Sequence, residues 1–155
     1  MWKAFQRYRA LDPEARKLFH WATLLLPSVV LSLRVRGFKS TKVALERRLH
    51  IMRSQPSRNE PPAETVQRTT RMVRAAVRHG VVRPTCLAQS LALWYLLRKQ
   101  RVNTDLRIGV RKTAQKFEAH AWVEFDGAAL NQPEAQHRHY AAFDNAFSDL
   151  PGETS

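Results

Sequence analysis

The feature that most limits what this chain can become is a change of hydrophobic period near residue 102. Upstream of it, apolar residues recur at helical spacing. Downstream, Leu106, Ile108 and Val110 alternate with polar residues or glycine in "TDLRIGVRK". In "FEAHAWVEF" (117–125), His120, Trp122 and Glu124 share one face and Ala121, Val123 and Phe125 the other. Helices first and strands later define an α+β fold rather than alternating βαβ units. Asp126-Gly127 is a two-residue hairpin signal that returns the chain along "AALNQ", and "HYAAF" (139–143) can add a further strand.

The helical part divides into blocks. Asp12-Pro13-Glu14 reads as a helix start, with Asp12 as N-cap and Pro13 in the first turn. This helix is expected to reach about Arg36, bent or broken near Pro27. "STKVALERRLHIMRS" (40–54) reads as a second helix capped by Ser40 or Thr41, with Leu45, Leu49 and Met52 as a narrow apolar face. "QPSRNEPPAE" (55–64) is a polar, proline-rich linker. The expected organisation is thus a helical region over 1–54, a linker over 55–64 and a core over 65–155. Within the core, "AETVQRTTRMVRAAVRHG" (63–80) is a helix with Val66, Val73 and Val77 inward and Gly80 as C-cap. Its Arg71, Arg74 and Arg78 form a basic stripe. A solvated face is the plainer reading of that stripe; the sharper one is a landing site for an acidic peptide.

The 155 residues fit one domain or a domain with a small extension, and the formal net charge is +13. Such a charge suits nucleic acid, an anionic membrane or an acidic peptide. The arginines are spread along the chain without a nucleic-acid-binding motif, which argues against nucleic acid. One cysteine excludes an internal disulfide, leaves no Cys cluster for zinc and fits a reducing cytoplasm. His137 and His139 lack a Cys partner and do not read as a metal site. The apolar run at 18–33 has no secretory cleavage pattern, falls short of the roughly 18 uncharged residues expected of a spanning helix, and contains His20 and Pro27. It reads as a buried or membrane-touching helix, and "RVRGFK" behind it can act as a basic anchor.

The cysteine itself, Cys86, opens the apolar helix "CLAQSLALWYLLRK" directly after Pro84 and Thr85. A helix N-terminus presents unpaired N–H groups and a positive field, which favour an anion such as a thiolate. Nucleophilic catalysis also needs a base and a group to orient it. His120 is the candidate base. An unbulged two-residue hairpin sets residue 125 opposite 128 and 122 opposite 131, which puts Asn131 on the face of His120. Asn131 is therefore the candidate orienting group, by analogy with Cys-His-Asn sites. Gln89, one turn beyond Cys86, reads as a structural or substrate-contacting amide.

"CLAQSLALWYLLRKQRVNTDLRIGV", "FEAHAWVEFDGAALN" and "LSLRVRGFKSTKVALERR" together resemble the transglutaminase-like leader peptidases of lasso-peptide gene clusters. The resemblance spans nearly the full chain and is densest over 83–131. It implies a papain/transglutaminase-like core, with Cys86 as nucleophile and His120 as base. The family's third residue is an Asp; no Asp occupies the suitable place here, and Asn131 stands in for it. The implied reaction is removal of the leader from a ribosomally made precursor peptide, with no cofactor or metal. The implied partners are a separate leader-binding recognition protein and an ATP-dependent lasso cyclase, with peripheral membrane contact through the N-terminal helices as an addition. The alternatives are a non-catalytic basic helper that binds a partner, and a Cys-His acyltransferase that passes the acyl group to an amine.

Overall fold

The computed structural model describes residues 11–51, 62–112, 117–131 and 141–142. Met52, most of the 55–64 linker, His137, His139 and the C-terminal tail lie outside the described residues. Three helices, α1 (Pro13–Ile51), α2 (Pro62–His79) and α3 (Cys86–Lys99), precede four strands, β1 (Asp105–Lys112), β2 (Phe117–Phe125), β3 (Ala128–Ala129) and β4 (Ala141–Ala142). The sheet is antiparallel in the order β3-β2-β1-β4. The fold is α+β, as the change of period at residue 102 requires.

Helix α1 begins as expected. The Asp12 carboxylate accepts the Ala15 N–H at 2.8 Å, and Arg16 N–H bonds to the Asp12 carbonyl at 3.0 Å. The backbone bond to Ala15 holds the Asp12 carboxyl below its ordinary value, with Arg68, 3.8 Å away, acting in the same sense. Its contribution to stability is therefore present above the ordinary carboxylate range and is lost as pH falls through the lower, folded-state value. Asp12→Ala should cost about 1 kcal/mol in urea unfolding at neutral pH. That difference from the parent protein should shrink as both are titrated below about pH 4.

The break in α1 is not at Pro27. Pro27 stays within the helix, and the one non-helical residue is Gly37, at φ 75° and ψ 179°. A proline inside a helix removes one backbone bond, which neighbouring packing can absorb. A backbone at this φ and ψ is open essentially to glycine alone. Thr41, expected as a cap, lies buried inside the second half and donates back to the Gly37 carbonyl at 2.7 Å. Its hydroxyl also meets Ser32 at 2.9 Å, so the pair ties the two halves of the helix across the break.

Helices α1 and α2 pack on α3. Ala22, Leu26, Val29 and Leu45 of α1, with Val66, Val73 and Ala76 of α2, enclose Ala88 and the buried run Ser90 to Leu97. Apolar on all sides, α3 is the hub of the core. Helix α1 also contains a window long and apolar enough to cross a membrane by length and composition, with 28% of it buried. This exceeds the length expected of the run at 18–33. Leu24, Leu31 and Val35 on its outer side are 71%, 63% and 73% exposed. Helix α2 starts at Pro62, inside the expected linker, with proline at its first position. Gly80 follows α2 without a left-handed φ; a Cβ there would meet the Ala76 carbonyl oxygen at 2.5 Å, so close approach is what requires glycine.

The sheet follows the alternation. Asp126 and Gly127 have φ of 49° and 77°, both positive, as a type I′ turn needs. Phe125 pairs with Ala128 and Glu124 with Ala129. On β1, Gly109 lies opposite His120, and Arg107 opposite Trp122. Val123 of β2 joins the α3 core, so Ala121, Val123 and Phe125 form the helix-facing side.

Candidate active site

Cys86 is the first residue of α3. The cap before it is Thr85, whose hydroxyl accepts the Ala88 N–H at 3.3 Å while its carbonyl takes Gln89 N–H at 3.0 Å. The Gln89 side chain donates back to the Pro84 carbonyl at 3.0 Å. Two side chains therefore brace the turn that carries the thiol. Cys86 is half-buried and free. Among the described residues its N–H has no partner, as the first turn of a helix dictates.

The position of α3 against the sheet rests on Ser90, one turn beyond Cys86. Its hydroxyl donates to the Ala121 carbonyl at 2.9 Å and accepts the Asn131 amide N–H at 2.7 Å. The Asn131 carbonyl oxygen accepts Val123 N–H at 2.9 Å. A chain of hydrogen bonds thus runs from the helix through the Asn131 side chain to the β2 backbone. Ser90 is fully buried, so the network works without competition from water.

This geometry corrects the reading of Asn131. The paired register ends at Glu124–Ala129, two residues short of Asn131, and does not set Asn131 on the face of His120 as expected. The Asn131 amide bonds to Ser90 and to the backbone of Val123, not to the imidazole of His120. The Val123 N–H and the Ser90 hydroxyl are buried groups that need partners, and Asn131 satisfies them. Ser90 was not legible as part of the site. Its only signal is that it is the one serine or threonine in the mostly apolar helix, a small polar group that burial obliges to find a partner.

His120 lies on β2 beside Ala121, the strand residue that Ser90 contacts. Residues 100–104 reverse the chain after α3, so β1 runs back along the helix and β2 runs with it again. Moving along α3 from Ser90 toward Cys86 is therefore moving along β2 from Ala121 toward His120. The topology brings the first turn of α3 and the backbone of the His120 stretch to the same end of the helix–sheet interface, with His120 itself on the strand face opposite the helix-facing Ala121, Val123 and Phe125, and no hydrogen bond joins Cys86 to His120 among the described residues. His120 is half-buried, and the glycine opposite it puts no side chain against its ring.

The ring of Trp122 stacks on His120 with centroids 6.2 Å apart and planes 12° from parallel. Trp122 is itself 2% exposed and held by its indole N–H, which donates to Glu124 at 2.8 Å. The other oxygen of Glu124 accepts from Arg107 at 3.0 Å. The face that carries His120 is therefore a fixed ladder of imidazole, indole, carboxylate and guanidinium. Among the described residues no cluster of His, Cys, Asp or Glu could hold a metal ion.

A cysteine at the start of a helix packed on an antiparallel sheet, with a histidine on the sheet, is a layout shared by papain-like enzymes. The model of the transglutaminase-like superfamily matches residues 28–143, and the chain belongs to that superfamily. The match begins inside α1 and ends after β4, so it takes in the later part of α1, all of α2 and α3 and the whole sheet. No curated protein and no solved structure matches the chain. The superfamily is one of papain-like cysteine proteases and acyl transferases, which supports cysteine-based acyl chemistry in this chain.

Proposed function

We propose that this protein is a cysteine endopeptidase that removes the leader from a ribosomally made lasso-peptide precursor. The observation that carries the reading is the placement of Cys86. It is the capped first residue of a core helix that Ser90 and Asn131 fasten to the strand bearing His120. The lasso assignment rests on the resemblance of residues 83–131 to the leader peptidases of those clusters.

Cys86 Sγ attacks the scissile carbonyl while His120 accepts the thiol proton. The Cys86 N–H, which has no partner among the described residues, donates to the oxyanion that forms. His120 then protonates the leaving amine, which becomes the new N-terminus of the core peptide. Water, deprotonated by His120, hydrolyses the thioester and releases the leader as a carboxylic acid. Trp122 holds the imidazole plane through both steps. The protein works in the cytoplasm, where its thiol stays reduced. A separate recognition protein delivers the precursor and a cyclase consumes the product. The exposed apolar side of α1, with Leu24, Leu31 and Val35, is the surface for peripheral membrane contact.

Incubation of the protein with the precursor and recognition protein, followed by mass spectrometry, tests the reading. The expected products are the core peptide with a free amine and a leader ending in a carboxylate. Prior alkylation of the protein with iodoacetamide should prevent both from forming. A leader joined to an added amine in place of the carboxylate would identify an acyltransferase. An unchanged precursor would overturn the peptidase reading.

A further inference from the structure

The basic stripe of α2 is part of a groove. Thr65, Val66, Thr69, Met72, Val73 and Ala76 face the core, which leaves Gln67, Thr70, Arg71, Arg74 and Arg78 along the other side. Between that side and the hairpin end at Ala129–Leu130 lies an open cavity of about 590 Å³. Arg74 spans it, donating to the Leu130 carbonyl at 2.9 Å. Among the described residues no carboxylate pairs with Arg71, Arg74 or Arg78. Three guanidinium groups thus line one concave surface, with no carboxylate against them among the described residues.

A second observation lies in the floor of the groove. Thr70 lines it, is only 8% exposed, and its Oγ1 has no hydrogen-bond partner. A buried hydroxyl without a partner is unfavourable, so one that lines a basic cavity points to a ligand that accepts its proton. The third observation is position. Leu130 precedes Asn131, whose amide holds Ser90 one turn from Cys86. The groove therefore ends on the strap that fixes the helix of the candidate nucleophile.

We propose that this groove binds an acidic stretch of the peptide substrate, with carboxylates on Arg71 and Arg78 and one carboxylate oxygen accepting the Thr70 hydroxyl proton. Arg71 and Arg78 are seven residues apart on the helix, about 10 Å along its axis. Three residues of extended peptide cover the same span, so the groove suits two acidic residues about three positions apart. Planar guanidinium groups grip carboxylates through two parallel hydrogen bonds, which gives selectivity for acidic over amide side chains. The cavity has no Phe, Tyr or Trp in its lining on which a nucleobase could stack. The proposal rests on the peptidase reading only in taking the bound peptide as substrate.

The test is fluorescence anisotropy on full-length Cys86→Ala protein. The probes are a fluorescein-labelled octapeptide containing Glu-Ala-Ala-Glu and its twin with Gln at both acidic positions. The acidic peptide should bind at least about tenfold tighter than the twin, and the difference should shrink between 50 and 300 mM salt, which shortens the screening length about 2.5-fold. The double variant Arg71→Gln/Arg78→Gln should lose that selectivity with an unchanged thermal midpoint. Thr70→Val, which keeps the shape, should weaken binding severalfold. Equal binding of the twin, or full selectivity in the double variant, would overturn the proposal. So would a single-stranded oligonucleotide that displaces the peptide at a lower concentration than unlabelled peptide does. Binding is read without cleavage, so failure here leaves the role of Cys86 standing, and intact binding with no cleavage counts against the peptidase reading alone.

Discussion

Cys86→Ala should leave the protein folded and stop precursor cleavage. The expected loss is on the order of 10⁴-fold or more, because removing the nucleophile from a covalent mechanism leaves only what binding and the oxyanion donor supply. Stability should change little. Cys86 is half-buried and makes no side-chain hydrogen bond among the described residues, and the cap belongs to Thr85. The change removes one sulfur atom from a partly exposed turn, which costs less than about 1 kcal/mol. Mass-spectrometric kinetics on the precursor, with urea unfolding of both proteins, measures the two effects separately. His120→Ala should lose cleavage on the same scale. Undiminished leader release by purified Cys86→Ala protein would end the case for covalent catalysis.

Asn131→Ala should behave differently, losing stability first and activity second. The truncation leaves Val123 N–H without its acceptor and Ser90 without its donor, inside a site closed to water. A buried group left unsatisfied costs about 1–3 kcal/mol, so a total near 2–4 kcal/mol is expected. The helix then sits less firmly on β2, and a displacement of about 1 Å at a reacting atom can cost on the order of 10²-fold in rate. Ser90→Ala should resemble it, and the double variant should cost less than the two single changes added together, by about 0.5–3 kcal/mol. The outcome separates two roles for Asn131. An orienting partner of His120 would lose nearly all activity with stability intact. A fastener between helix and sheet loses stability in full and activity in part.

Local chemistry was readable wherever one residue type answers one local demand. Asp12 caps α1, Thr85 caps α3, and Asp126-Gly127 turns the hairpin, because orphan N–H groups and positive φ angles can be met by few side chains. The alternation in 104–112 and 117–125 likewise marked the strands and their faces. The first helix was expected to end near Arg36 and the next to start at Ser40, and the break at Gly37 falls between them; the further break expected near Pro27 is absent because the cost of a helical proline depends on packing that the sequence does not display. Gly37 drew no attention because glycine is compatible with both a continued and a broken helix.

The site divides along the same line. Cys86 and His120 stand out in the sequence as chemically distinctive residues at a helix start and on a strand. Ser90 does not, because a serine in an apolar run acquires meaning only from the carbonyl and amide that face it in space. The hairpin register put Asn131 on the face of His120, yet pairing ends at Ala129 and the Asn131 amide reaches Ser90 on the helix side, a partner that register cannot give. Register places a residue opposite another strand residue, and the helix on the sheet is a separate, long-range choice. The arginine stripe shows the same limit, since periodicity puts Arg71, Arg74 and Arg78 on one side of α2 whether or not a wall stands across from them. By itself the sequence determined the elements, their caps and turns, and the α+β order, because these depend on contacts within a few residues. The tertiary structure alone decided which buried polar groups meet, how Asn131 is used, and that the basic stripe faces a groove, because each of these depends on residues tens of positions apart packing together.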